Sequence, residues 1–215
     1  GVREHAMAAV TNGIALDGTF IPYCGTFLIF SDYMRPALRL AALMKVRATY
    51  VFTHDSFFVG EDGPTHQPVE QLDSLRAMPG LTVFRPADGI ETAMAYAWIL
   101  QQAEGPAALS LSRQGLRALE RPADFELHDV WKGAYAVVDP GGAPDVVMLA
   151  TGSEVALCVD AAKRLEDAGV ATRVVSVPCL ELFEARPESE QLALVPDDDS
   201  TTVVAVEAGC GESFR

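Results

Sequence analysis

The 215 residues carry 16 Lys and Arg against 30 Asp and Glu, a formal net charge of -14, which argues against a nucleic-acid partner because phosphate binding needs a surplus of cations. With 49% hydrophobic and 21% charged residues, the composition is that of a soluble globular chain; no apolar run approaches the roughly 20 residues of a membrane span. The length suits one large domain or two ordinary ones.

The chain opens inside GVREHAMAAV with no basic, apolar leader, so it reads as the start of a helix within a longer protein. Apolar residues over 6–15 recur at helical spacing, and Gly18 closes that stretch before a short apolar run at 20–23 that reads as a strand. Residues 33–44 predict a second helix, and 48–52, β-branched and aromatic, a second strand that ends at the polar His54-Asp55-Ser56. The segment 60–68 is dense in Gly, Pro, Asp and His and reads as a loop beyond that strand. A short helix at 69–77, a strand at 81–84, a helix over 88–102 and a strand at 107–111 follow. Asp88 is placed to cap its helix, with Glu91 three residues on. This alternation predicts an α/β fold with a parallel sheet covered on both faces, its crevice at the carboxyl ends of the strands, where His54 and Arg113 fall.

Between 116 and 128 the periodicity lapses. The expected division is a first domain over 1–118, a linker over 119–131 and a smaller parallel-sheet α/β domain over 132–215. In the latter, 133–138, 146–150, 171–177 and 202–206 read as strands and 153–167 as an amphipathic helix, with the acidic 196–200 as a solvated loop. Cys24, Cys158, Cys179 and Cys210 show no CxxC spacing. They suggest neither a zinc site nor a disulfide framework, and fit a reducing, cytoplasmic setting.

The densest polar cluster is THDSFFVGEDGPTHQP, with His54, His66 and three carboxylates in thirteen residues. Histidine suits proton movement near neutral pH; a polar surface turn is the plain alternative, and the irregular spacing does not favour a metal. Arg113 in LSLSRQG suits bidentate capture of a phosphate, or pairing with a nearby carboxylate. Glu4 stands at the head of the first helix. There a carboxylate favours the helix dipole, or, if desolvated in a crevice, serves as an acid. Phe27, Phe30 and Tyr33 repeat every three residues and so share a face, for core packing or for stacking a flat ligand. Thr151-Gly152-Ser153-Glu154 has the form of a helix capping box, a structural device.

Taken in order and spacing, GVREHAM, GTFLIFSDYMRPALRLAALM, THDS, GEDGPTHQPVEQLDSLR, RPAD, LSRQ and ATGSEV resemble the transketolase family over nearly the whole chain. The resemblance implies the family's pyrimidine-binding domain followed by part of its carboxyl-terminal domain. It implies that Glu4 hydrogen-bonds the aminopyrimidine of thiamine diphosphate, that Phe30 stacks on that ring, and that Phe27 and Tyr33 flank it. His54 and Arg113 then hold a sugar phosphate, Asp62 contacts a sugar hydroxyl, and His66 lies near the reacting carbons. The implied reaction is reversible transfer of a two-carbon ketol unit between sugar phosphates, in a homodimer with the site at the subunit interface. The diphosphate and a divalent metal (Mg or Ca) would be held by an amino-terminal domain with a GDG motif, which these 215 residues lack, so this stretch alone is expected to be inactive. Within the same chemistry, dihydroxyacetone synthase and deoxyxylulose-phosphate synthase stay open as alternatives, although THDS and LSRQ speak against the second. A non-catalytic dimerisation module is the other alternative. It would need none of Glu4, Asp62, His66 and Arg113.

Overall fold

The computed structural model describes residues 1–214. Helix α1 (Glu4–Asp17) stops at Gly18, whose φ of 78° lets its N–H return to the Ala15 carbonyl, a left-handed stop that glycine adopts without a Cβ penalty. Strand β1 (Tyr23–Phe27), a tight turn over Leu28–Phe30 and helix α2 (Ser31–Met44) follow. The apolar run at 20–23 is therefore the approach to a strand rather than the strand. Pairing with β2 (Thr49–Thr53) begins at Tyr23↔Thr49 and runs to Phe27↔Thr53, so the partner's backbone, not the apolar run, sets the position.

Helix α3 (Gln71–Arg76), β3 (Thr82–Phe84), α4 (Gly89–Gln101) and β4 (Ala107–Ser110) complete the first unit. Its sheet runs in the order β1-β2-β4-β3 and is parallel throughout. Tyr50 and Phe52 of β2 point to one face and pack with Leu28, Met34 and Leu38 under α1 and α2. On the other face Ala107 and Leu109 of β4 meet Phe84 together with Ala95 and Ile99 of α4. Burial on both faces is why these strands read as unbroken apolar runs.

The second unit holds β5 (Tyr135–Val138), β6 (Val146–Ala150), α5 (Glu154–Asp167), β7 (Thr172–Ser176), α6 (Leu180–Glu184), α7 (Glu188–Leu194) and β8 (Thr202–Val206). Its sheet order is β5-β7-β6-β8. It is parallel except at the edge, where β5 runs antiparallel to β7. The two units share apolar packing: Cys179 and Leu182 join the α4 layer of the first, and Ala87 and Met94 join the core of the second. Among the described residues no helix is long and apolar enough to cross a membrane.

Candidate active site

Strand β2 ends at Thr53, and the chain then makes a strained turn. His54 (φ 58°) and Ser56 (φ 62°) both take left-handed backbone, which costs roughly 1–2 kcal/mol per non-glycine residue. Such outliers persist only where their surroundings hold them, and they gather at functional sites. Asp55, between the two, is the buried holder. Its N–H donates to the Leu111 carbonyl at 3.1 Å, and its Oδ2 accepts from Arg85 Nε at 2.8 Å and from Ser110 Oγ at 3.3 Å.

This turn lays the His54 ring on Phe27, with centroids 3.7 Å apart and planes 15° apart. His66 arrives from the far side of the glycine-rich loop and meets Phe30 edge-on at 5.3 Å and Phe27 at 6.4 Å. The loop is shaped by its own bonds, His66 N–H to the Gly63 carbonyl at 3.1 Å and Gln67 Nε2 to the Gly60 carbonyl at 3.0 Å. Phe27, Phe30 and Tyr33 form a near-parallel series with steps of 6.2 and 6.0 Å, each tilted by 20°. Phe27 and Phe30 are half-buried and Tyr33 is 63% exposed, so these rings are not enclosed in the core, although His54 covers one face of Phe27.

The remaining expected residues are placed as follows. Glu4 is the first residue of α1 and half-buried. Asp62 lies exposed in the loop, and Arg113 lies exposed three residues past the end of β4. Among the described residues, none of these three side chains makes a hydrogen bond or ion pair. Arg113 has no carboxylate partner among the described residues. The structure thus brings Phe27, Phe30, Tyr33, His54 and His66 into one ring cluster, while Glu4, Asp62 and Arg113 have no side-chain partner among the described residues. Nor do the described residues include a group of three or more His, Cys, Asp or Glu able to hold a metal.

Two features differ from the sequence reading. Residues 151–154 form no capping box: Ser153 is the N-cap, with no side-chain cap bond. Thr151 Oγ1 donates to Glu207, and Glu154 Oε2 accepts from Arg85 and from the Ala208 N–H. Asp88 does cap α4, accepting from the N–H groups of Ile90 and Glu91 at 3.0 Å. Glu91, however, turns back to the N–H of Ala87 and also accepts from Tyr135 and Ser176 of the second unit. The residue that sequence reasoning missed is Arg85, 1% exposed. It follows β3 directly, and the strand-end rule that singled out Arg113 applies to it equally. Burial disfavours its charge, but the carboxylates of Asp55 and Glu154 outweigh that and hold its pKa above the usual arginine range.

A ring cluster at the carboxyl ends of a parallel sheet, beside a second α/β unit, defines a protein of the open-sheet α/β class. Residues 1–118 match the transketolase pyrimidine-binding domain and residues 133–214 the transketolase-like C-terminal domain. The chain belongs to the transketolase family. It is 51% identical over 209 residues to the transketolase of Aquifex aeolicus, covering 97% of this chain and 30% of that protein. To the Mycobacterium tuberculosis transketolase it is 52% identical over 222 residues, covering 100% of this chain and 31% of that protein. Among solved structures, Campylobacter jejuni transketolase superposes with a TM-score of 0.92 at 47% identity, covering all of this chain and 32% of that one. Pichia stipitis transketolase in complex with sedoheptulose-7-phosphate gives 0.92 at 43%, covering all of this chain and 31% of that one. The chain therefore spans about a third of these relatives.

Proposed function

We propose that this chain supplies the aminopyrimidine and sugar-phosphate half of a transketolase active site, serving reversible transfer of a two-carbon ketol unit from a ketose phosphate to an aldose phosphate. The observation that carries this reading is the ring cluster. Residues 27, 30, 54 and 66, from three separate segments, converge as one half-buried cluster of flat rings, with the His66 ring set edge-on to Phe30. The donor set fits a thiamine ring: flat half-buried rings for its faces, and a Glu4 carboxylate with no protein partner among the described residues for its ring nitrogen.

When bound, thiamine diphosphate supplies the electron sink for the transferred carbon unit. Glu4 holds the aminopyrimidine through its carboxylate and sets that ring's protonation. Phe30 carries one face of it, flanked by Phe27 and Tyr33. His66 has its Nδ1 engaged with Thr65 at 2.8 Å, which directs the proton-exchanging role to Nε2, towards the substrate's hydroxyl and carbonyl oxygens. Asp62 accepts a hydrogen bond from a sugar hydroxyl. His54 and Arg113 hold the phosphate, so that binding energy far from the reacting bond orients the chemistry. The Pichia stipitis relatives solved with sedoheptulose-7-phosphate and xylulose-5-phosphate support that substrate class.

The diphosphate and its divalent metal (Mg or Ca) are assigned to an amino-terminal domain outside these residues. A homodimer is supported by the apolar surface that α1 and its sequel leave exposed: Val10 61%, Leu16 60%, Phe20 68% and Tyr23 77%, a patch of the kind that marks an interface. The division into 1–118, 119–131 and 132–215 follows the same reading, and the four free thiols accord with a cytoplasmic setting. The test is ketol transfer from xylulose 5-phosphate to ribose 5-phosphate in the complete enzyme. Glu4→Ala is expected to lower turnover at least about 100-fold with the circular dichroism spectrum unchanged. Turnover at the normal rate would refute the assignment.

A further inference from the structure

Every donor nitrogen of Arg85 is engaged, and the bonds are divided between the two units. Nε donates to Asp55 Oδ2 of the first unit at 2.8 Å. Nη1 donates to the Thr151 carbonyl at 2.9 Å, to Thr151 Oγ1 at 2.8 Å and to Glu154 Oε2, and Nη2 donates to Ser153 Oγ at 3.3 Å, all in the second unit. Its backbone spans the same gap: the N–H donates to the Pro178 carbonyl at 2.8 Å, and the carbonyl accepts from Gly152 N–H at 3.1 Å. Gly152 has φ 52°, and a Cβ there would lie 2.9 Å from Arg85 Cζ and Nε. Only glycine leaves room for the guanidinium.

What sets Arg85 apart from an ordinary domain staple is its partner. Asp55 lies between the two left-handed residues of the site turn, one of them His54, and its N–H bonds the carbonyl of Leu111, two residues before Arg113. One buried residue thus links the two proposed phosphate ligands: its backbone N–H ties the His54 turn to the end of β4, and its carboxylate bonds the Ser110 side chain of that strand and Arg85. Its Oδ1 has no hydrogen-bond partner, so Oδ2, with its bonds to Arg85 and Ser110, alone anchors the side chain. Elsewhere the molecule has a staple that does not touch the site. Arg121 binds Asp88 at 2.9 Å through both terminal nitrogens.

We infer that Arg85 is a positioning residue through which the second domain, by Thr151 and Glu154, holds the His54 turn and the Arg113 strand end in phosphate-binding register. The inference rests on the proposed function. A chain of packed hydrogen bonds with a strained element at one end is the kind of contact network along which such coupling travels.

The test uses Glu154→Gln in the complete enzyme, with Arg121→Gln as a control that loosens the seam away from Asp55. Glu154→Gln is expected to raise KM for a phosphorylated aldose acceptor about fivefold or more while kcat stays within about twofold. KM for an unphosphorylated aldose stays unchanged, and the effect is smaller in a His54→Ala background, because coupled residues are not additive. Thr151→Val, which deletes one acceptor of the same nitrogen, serves if Glu154→Gln does not fold and is expected to shift KM in the same sense. A lowered melting temperature with unmoved KM, as expected of Arg121→Gln, or full additivity with His54→Ala, would overturn the inference alone. Absence of ketol transfer by the unaltered enzyme would overturn the functional reading beneath it.

Discussion

His54 shows how a single residue combines strain and chemistry. Its backbone sits at φ 58°, its Nδ1 meets Thr53 Oγ1 at 3.0 Å, and its ring is pressed flat on Phe27. The imidazole is fixed at its Nδ1 edge, which leaves Nε2 for the phosphate in the proposed role. Arg113 is held differently: exposed and unpaired among the described residues, it depends on the strand end behind it. Arg113→Ala should therefore raise KM for a phosphorylated aldose about 10- to 100-fold, the value of one or two charge-assisted hydrogen bonds. Folding stability should move by no more than about 0.5 kcal/mol. Steady-state kinetics and a urea titration check both halves; a large stability loss with unchanged KM would make it a structural residue. Motif order alone picks out Glu4, Phe27, Phe30, Tyr33, His54, Asp62, His66 and Arg113. Arg85 shares the strand-end position that singles out Arg113, but its burial is not legible because its partners lie 30, 66 and 69 positions away.

Among the elements, α1 carries Glu4 and must be held at a fixed angle to the sheet. Asn12, 5% exposed, does this: its Nδ2 donates to the Ala37 carbonyl of α2 at 2.9 Å, and its Oδ1 accepts from the hydroxyl of Tyr50 in β2. Asn12→Ala removes the tie to that carbonyl and leaves the Tyr50 hydroxyl buried without its partner, and should cost about 1–3 kcal/mol, read as a lower urea midpoint with an unchanged slope. A loss below about 0.5 kcal/mol would mean that α1 is held by apolar packing alone. The alternation of helices and strands is legible in the sequence because these elements are long or strongly apolar. Helices α6 and α7, of five and seven residues, have no counterpart in the sequence reading although α3, of six, does; so short a segment does not complete a hydrophobic period and gives no consistent signal. Residues 151–154 misled because a Thr followed three positions later by a Glu is the cap signature, but here tertiary partners claim both side chains, Arg85 across the seam bonding each of them and Glu207 accepting from Thr151.

Across the whole molecule the seam between the two units is apolar packing set with buried charge. Breaking such charge pairs one-sidedly is far more damaging than never having them. Glu91, fully buried, accepts from Tyr135 and Ser176 across this seam. Burial raises its pKa above the usual carboxylate range, although Ser176, the Ala87 N–H and Tyr135 all donate to the charged form. A raised carboxyl makes the folded state the better proton binder, so the cost of its charge is complete above the folded pKa. That cost is relieved as pH falls towards the unfolded value near about 4.3. The stability of wild type minus that of Glu91→Gln should accordingly rise as pH drops through this window. A difference that stays flat from neutral to acid pH in denaturation experiments would contradict it. Asp88 has the opposite sign. Burial would raise its pKa, but Arg121 and the N–H groups of Glu91 and Leu119 hold it below the usual range, so its contribution is present at neutral pH and lost in acid.

The account rests on Glu4 and the ring cluster lying on either side of one aminopyrimidine. The most direct measurement is an experimental structure of the complete enzyme with thiamine diphosphate bound. A Glu4 carboxylate oxygen within about 2.6–3.2 Å of a pyrimidine nitrogen, with the Phe30 ring against the same base, is the expected result. A cofactor bound with Glu4 turned into solvent and Phe30 out of contact would contradict it.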